Sequence, residues 1–170
     1  MAACFTDNLR FMRTPDLDRL DYAILDRLQR DTRTIAESIA VEVGMSTAAV
    51  QRRIKRLRES GVIAREVAVL SPKALGQSMT FIVEVEMERE RSEVLDAFRY
   101  RMDADDNVQQ CYYVTGAYDF VLIVTARDME DFEAFTQRTF FDNGNVRRFT
   151  TSVVMRPIKV GLTLPLPTER

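Results

Sequence analysis

Apolar residues recur at helical spacing through the first part of the chain and at alternate positions through much of the rest. Leu17, Leu20, Ile24, Leu25 and Leu28 predict a first helix over 16–30, with Asp16 or Asp18 as its cap. A polar break at 30–33 follows. A short helix over 34–41 is expected to bury Ile35 and Ile39, with Ala36 and Ala40 beside them, and Gly44 to stop it. Ser46 then caps a third helix reaching Glu59, with Val50, Ile54 and Leu57 on one face. Beyond Gly61, the run Val62, Ile63, Val67, Val69 and Leu70 predicts a β wing.

Pro72 and Gly76 break the pattern within 71–78, which reads as a hinge. The period then becomes two. Phe81, Val83, Val85 and Met87 alternate with Ile82, Glu84, Glu86 and Glu88, a half-buried strand. A helix over 92–102 carries Val94, Leu95, Phe98 and Met102 on one side, and a strand over 108–115 follows. The turn Gly116–Asp119 leads to an apolar strand over 120–125. A helix over 128–141 has Met129, Phe132, Phe135 and Phe140, and strands are expected over 146–155 and 158–164. The whole is an α+β chain: an N-terminal winged helix-turn-helix over 16–70, then a ferredoxin-like βαββαβ domain over 79–170. Residues 1–15 read as an extension without a motif.

Charge adds a local feature that the net value of -2 hides. Residues 52–65 carry Arg52, Arg53, Lys55, Arg56, Arg58 and Arg65 against Glu59 alone, a basic patch on an acidic protein. Such a patch marks a localised polyanion site or a solvated helix face. The chain has no histidine, which removes Ser-His and Cys-His catalysis. Cys4 and Cys111 form neither a disulfide framework nor a metal cluster, and fit a reducing, cytoplasmic setting. No cofactor or metal is expected, and no apolar run approaches the ~20 residues that span a bilayer.

The spacing of Ala40, Gly44 and Val50 suits a helix-turn-helix: a small residue where helices approach, a glycine in the turn, a β-branched core residue. On the third helix, Val50, Ile54 and Leu57 fall on one side. Thr47, Ala48, Gln51, Arg52, Lys55 and Arg56 fall opposite, with short residues near the N-terminus and long cations beyond. That is how a recognition helix meets a major groove. Gln51 is suited to adenine and Arg52 to guanine. Arg53, Lys55, Arg56 and Arg58 are suited to phosphates, and Ser46 completes the expected contact set at the helix start.

The stretch from Leu17 to Ile63 resembles the N-terminal domain of the Lrp/AsnC (leucine-responsive/asparagine-responsive) family. It shares an LDxxDxxIL opening, LQxDxR, a glycine-and-serine turn, RRIKRL and GVI. Leu75-Gly76, Thr115 to Asp119, Asn145-Val146, Thr151 and Val153-Val154 extend the resemblance to about Pro165. It implies a transcription factor that binds double-stranded DNA and dimerises through its C-terminal domain, often assembling further to octamers. It also implies an amino acid or related metabolite as effector, held at the turn formed here by Thr115, Gly116, Ala117, Tyr118 and Asp119. Gly116 permits close backbone approach, Asp119 suits an α-ammonium group, and the backbone amides suit a carboxylate. A Gly-x-x-Asp turn closing a hairpin also needs no ligand. Two departures stand out: the stretch before Leu17 is longer than the family needs, and Ala64-Arg65-Glu66 replaces a Gly-aromatic pair at the wing. Two other classes compete with a ligand-responsive regulator. One is an architectural DNA-packaging protein; the other is an enzyme on a ferredoxin-like sheet, opposed by the missing histidines.

Overall fold

The computed structural model describes residues 15–89, 91–142 and 144–167. They fall into two units, 69–158 and 15–68 with 159–167. The extension expected at the N-terminus lies, up to residue 14, outside the described residues.

In the first unit, α1 (Arg19–Leu28), α2 (Ala36–Val43) and α3 (Thr47–Glu59) enclose one core. Ile24, Leu28, Ile39, Ala40, Val50, Ile54 and Leu57 are buried there. Asp18 caps α1: its side chain accepts from the Asp21 N–H at 2.8 Å, and the Asp21 carboxylate accepts from the Asp18 N–H at 3.2 Å, a reciprocal capping box. Gly44 ends α2 at φ 67, a left-handed conformation that a β-carbon would strain. Ile35, expected inside, is 60% exposed because it precedes the first turn of α2 and sits at its cap.

The expected wing does not form a strand. Residues 64–71 form no regular element and are exposed, with Val67, Val69 and Leu70 largely solvated. What fastens the start of this segment is ionic: Arg58 on α3 donates to the Glu66 carboxylate through Nε at 2.9 Å and Nη2 at 2.8 Å. The strand expected over 158–164 is also missing. The Gln29 side-chain amide holds that segment to α1, donating to the Leu164 carbonyl at 3.1 Å and accepting from the Leu164 N–H at 3.0 Å. By contact, residues 159–167 group with the helical unit.

In the second unit, β1 (Met79–Met87), α4 (Ser92–Ala104), β2 (Val108–Tyr113), β3 (Phe120–Ala126), α5 (Met129–Thr136) and β4 (Val146–Val153) follow the expected order. A π-helical turn over Gln137–Phe141 extends α5. The strands form an antiparallel sheet in the order β2-β3-β1-β4, the ferredoxin-like arrangement. Phe81, Val83, Val85 and Met87 of β1 and Phe120, Leu122, Val124 and Ala126 of β3 are buried with Leu95, Phe98, Met102, Phe132, Phe135 and Phe140. Phe81 stacks on Phe132 with centroids 3.7 Å apart. The opposite sheet face carries Ile82 beside Ile123 and Val121 beside Tyr112, all at least partly exposed.

Candidate nucleic-acid interface and effector turn

Ser46 starts α3 in an extended conformation, φ -74 and ψ 147, and its hydroxyl accepts from the Ala49 N–H at 3.3 Å. That cap, and a run of good helix formers after it, commits Thr47–Glu59 to a helix. Burial of Val50, Ile54 and Leu57 fixes its rotation. Ser46, Ala48, Gln51, Arg52 and Lys55 are then exposed together, with Thr47 half-buried among them. Among the described residues Arg52 pairs with no carboxylate, and Lys55 lies 3.7 Å from Glu59 on the next turn, a loose surface pair.

Arg53 and Arg56 are placed differently. Both reach back to α1. Arg53 donates through Nη1 to Asp18 at 2.7 Å and to Asp21 at 2.8 Å; Arg56 donates through Nη2 to the other oxygen of Asp21. Asp21 is 1% exposed, while the Arg56 side chain keeps 53% of its surface. The N–H of Asp21, then the Arg53 guanidinium, hold the Asp18 carboxyl below its ordinary range. Asp21, foremost, and Asp18 push the Arg53 guanidinium upward. Sequence reading found Asp18 as a cap but missed Asp21 as a buried counter-ion. The signal was present in the D-x-x-D spacing of a capping box, yet nothing local tied that box to arginines 32 and 35 positions away.

The turn between β2 and β3 is held by backbone and side chain together. The Val114 N–H donates to the Asp119 carbonyl at 2.9 Å, and the Asp119 N–H donates to the Val85 carbonyl at 2.9 Å. The Asp119 carboxylate accepts from the Met87 N–H at 2.7 Å, so it continues the β1–β3 ladder beyond the start of β3. Gly116 has φ 129, where other residues are strained. Thr115, Gly116 and Ala117 are exposed, and Tyr118 and Asp119 are half-buried. The structure thus gathers the five expected residues at one end of the sheet and gives Asp119 a structural bond that sequence reading did not foresee.

Among the described residues, no group of His, Cys, Asp or Glu could hold a metal ion, and no helix is long and apolar enough to cross a membrane. Cys111 on β2 is an exposed free cysteine in register with buried Leu122, and desolvation of its sulfur pushes the thiol up to about 11. Cys4 lies outside the described residues.

A capped helix with an exposed polar N-terminal face behind a glycine turn, joined to a ferredoxin-like domain, defines a helix-turn-helix regulator with an appended sensor-type domain. Residues 17–58 match the AsnC-type helix-turn-helix domain and residues 80–164 the Lrp/AsnC ligand binding domain. The chain is 46% identical over 151 residues to an HTH-type transcriptional regulator of Sinorhizobium fredii, covering 89% of each. Among solved structures it resembles an AsnC family regulator of Agrobacterium tumefaciens, with TM-score 0.83, 32% identity, and 88% of this chain and 97% of that one covered. It also resembles a Neisseria meningitidis transcriptional regulator in complex with L-methionine, with TM-score 0.82, 27% identity, and 88% and 96% covered. The chain belongs to the Lrp/AsnC family of helix-turn-helix transcriptional regulators, a family of DNA-binding proteins and not of enzymes.

Proposed function

We propose that this regulator reads double-stranded DNA with α3 as a homodimer, and that an amino acid or closely related zwitterion bound at Thr115–Asp119 modulates it. On α3, Gln51 and Arg52 are the base-reading side chains. Ser46, Thr47 and Lys55 serve phosphates, and Ala48 allows close approach to the groove. The exposed N-terminal face of the helix, where Arg52 has no carboxylate partner among the described residues, supports this assignment.

The observation that carries the effector reading is the arrangement of the turn itself. A half-buried carboxylate is fixed by the Met87 N–H beside exposed backbone at Thr115, Gly116 and Ala117. A zwitterionic amino acid needs that mixture: an anion for its ammonium group and amides for its carboxylate. The L-methionine bound by the Neisseria relative is a ligand of this chemistry. Dimerisation uses the open sheet face, where Ile82, Ile123, Val121 and Tyr112 form an apolar strip flanked by Glu84 and Thr80. Dimers joined through ligand-bearing turns would build assemblies up to octamers, so ligand and assembly would be reciprocally coupled.

The test is a thermal-shift screen of the twenty amino acids with and without DNA. Isothermal titration of the wild type and Asp119→Asn follows, with sedimentation in parallel. The asparagine retains an acceptor oxygen for the Met87 N–H and removes only the charge. Wild type is expected to sediment as a dimer or larger and to respond to at least one amino acid, while Asp119→Asn loses that response and keeps basal DNA binding. Equal affinity in both proteins moves the sensing site elsewhere. No response to any amino acid favours constitutive, architectural DNA binding, and a monomer at micromolar concentration rejects the dimer.

A further inference from the structure

Six cations stand within residues 52–65, and the fold brings carboxylates from outside that stretch to Arg53, Arg56 and Arg58. Glu66 takes Arg58. Asp18 and Asp21 take Arg53 and Arg56 in a four-membered cluster whose formal charges cancel. The members are unequal. Arg53 is largely enclosed, its side chain 23% exposed, and it bonds both carboxylates. Arg56 lies on the rim, half exposed, and among the described residues its carboxylate partner is Asp21. Asp21 is itself the pivot: it is fully enclosed, closes the capping box of α1 and receives both arginines.

A guanidinium already neutralised by a neighbouring carboxylate contributes little to attraction by a phosphate backbone. Counterion release, which supplies most sequence-independent DNA affinity, scales with the phosphates that protein cations neutralise. Sequence discrimination is a difference between specific and non-specific affinity, and it improves when the non-specific term is reduced. We propose that Asp21, assisted by Asp18, is a specificity-determining residue of this regulator: it withholds Arg56 and Arg53 from the DNA backbone, so that the exposed N-terminal face of α3 decides where the protein binds. The proposal rests on α3 being the reading helix. It differs from a merely structural role for Asp21, which would fix the angle between α1 and α3 without setting the salt dependence of binding.

The experiment uses the full chain and two duplexes: the one best bound by the wild type after selection from a random-sequence pool, and a scrambled duplex of the same composition. Affinity for each is measured across a salt series for the wild type, Asp21→Asn, Asp18→Asn and Asp21→Asn/Arg56→Gln. Asp21→Asn is expected to bind the scrambled duplex more tightly than the wild type at low salt. Its slope of log affinity against log salt steepens by about 0.9 for each arginine released to a phosphate, or about 3.5-fold in affinity per arginine between 50 and 200 mM salt. The ratio of selected to scrambled affinity falls. Adding Arg56→Gln removes the part of the extra slope that Arg56 contributes. Asp18→Asn keeps the α1 cap, since asparagine caps as well as aspartate, and shows a smaller change of the same sign.

A folded Asp21→Asn with unchanged slope and unchanged ratio overturns the proposal. So does a parallel loss of affinity for both duplexes without a change of slope, the signature of a structural role. Where Asp21→Asn fails to fold by circular dichroism, Asp18→Asn decides: a steeper slope supports the proposal and an unchanged one rejects it. Arg52→Gln serves as the separate control. If it leaves selection of the preferred duplex intact, the assignment of α3 as reader fails, whatever the aspartate variants show.

Discussion

At the residue scale, neighbouring cations on one helix have different environments. Arg52 and Lys55 extend from the exposed face of α3, whereas Arg53 and Arg56 are turned toward Asp18 and Asp21. Their identity as arginines was legible in the sequence; their availability was not, because each partner lies more than thirty positions earlier. Arg52→Ala is therefore expected to weaken binding to the preferred duplex by about 1–3 kcal/mol and to relax specificity at one base position, with the melting temperature unchanged. Binding to a panel of single-base variants of that duplex measures this. Uniform weakening across the panel would reassign Arg52 to a phosphate. Asp119 has the same double character at the other unit: its backbone and its carboxylate are both fixed, so its charge is presented at a defined place.

Among the elements, caps separate the helices by how firmly they start. Asp128 caps α5, accepting from the Asp131 N–H at 2.8 Å with a charged oxygen at the positive end of the helix. Ser46 caps α3 with a neutral hydroxyl at 3.3 Å. Loss of either side chain costs about 0.5–2 kcal/mol, and Asp128→Ala is expected toward the upper end and Ser46→Ala toward the lower. Chemical denaturation of each single variant checks the order; a larger loss from Ser46→Ala would contradict it. The helices and the four sheet strands were legible because caps and hydrophobic period are local properties. The ends were less so: α1 starts at Arg19 and not at 16, because Asp18 is the residue whose side chain reaches an unpaired N–H of the first turn. Met129, expected on the apolar face of α5, is 54% exposed because it occupies the first turn, ahead of the residues that meet the sheet.

For the whole molecule, charge pairing sets how the two units respond to acid. Arg30 holds Asp26 low, Arg27 holds Glu42 low and Arg58 holds Glu66 low; backbone N–H groups of Asp21 and Arg33 do so first for Asp18 and Asp31. All five belong to the helix-turn-helix unit, whereas the sheet unit has Asp131, lowered by Arg127. A carboxyl whose folded pKa is depressed stabilises the fold above its ordinary value, here 3.8 for Asp and 4.5 for Glu, and that stability is lost as pH falls through the lower folded value. Each pair is exposed and individually weak, so each withdraws only a little stability as pH falls. The melting temperature, followed by circular dichroism, is expected to fall gradually as pH drops below about 4.5. With no histidine in the chain, stability should be nearly flat between about pH 5.5 and 8. A sharp transition in that window would contradict this.

Sequence alone determined the order of helices and strands, the buried faces of α3 and β1, the turn glycine and the family, since each is written in spacing over a few residues. Tertiary structure decided the rest. Val67 and Val69, like Ile158, Val160 and Leu162, alternate as strands do, yet they remain exposed and outside any ladder, because a strand exists only where a neighbour accepts its hydrogen bonds. The basic patch likewise became a set of distinct cations only when folding carried Asp18, Asp21 and Glu66 to three of them, since Coulomb attraction depends on distance in space and not on separation along the chain.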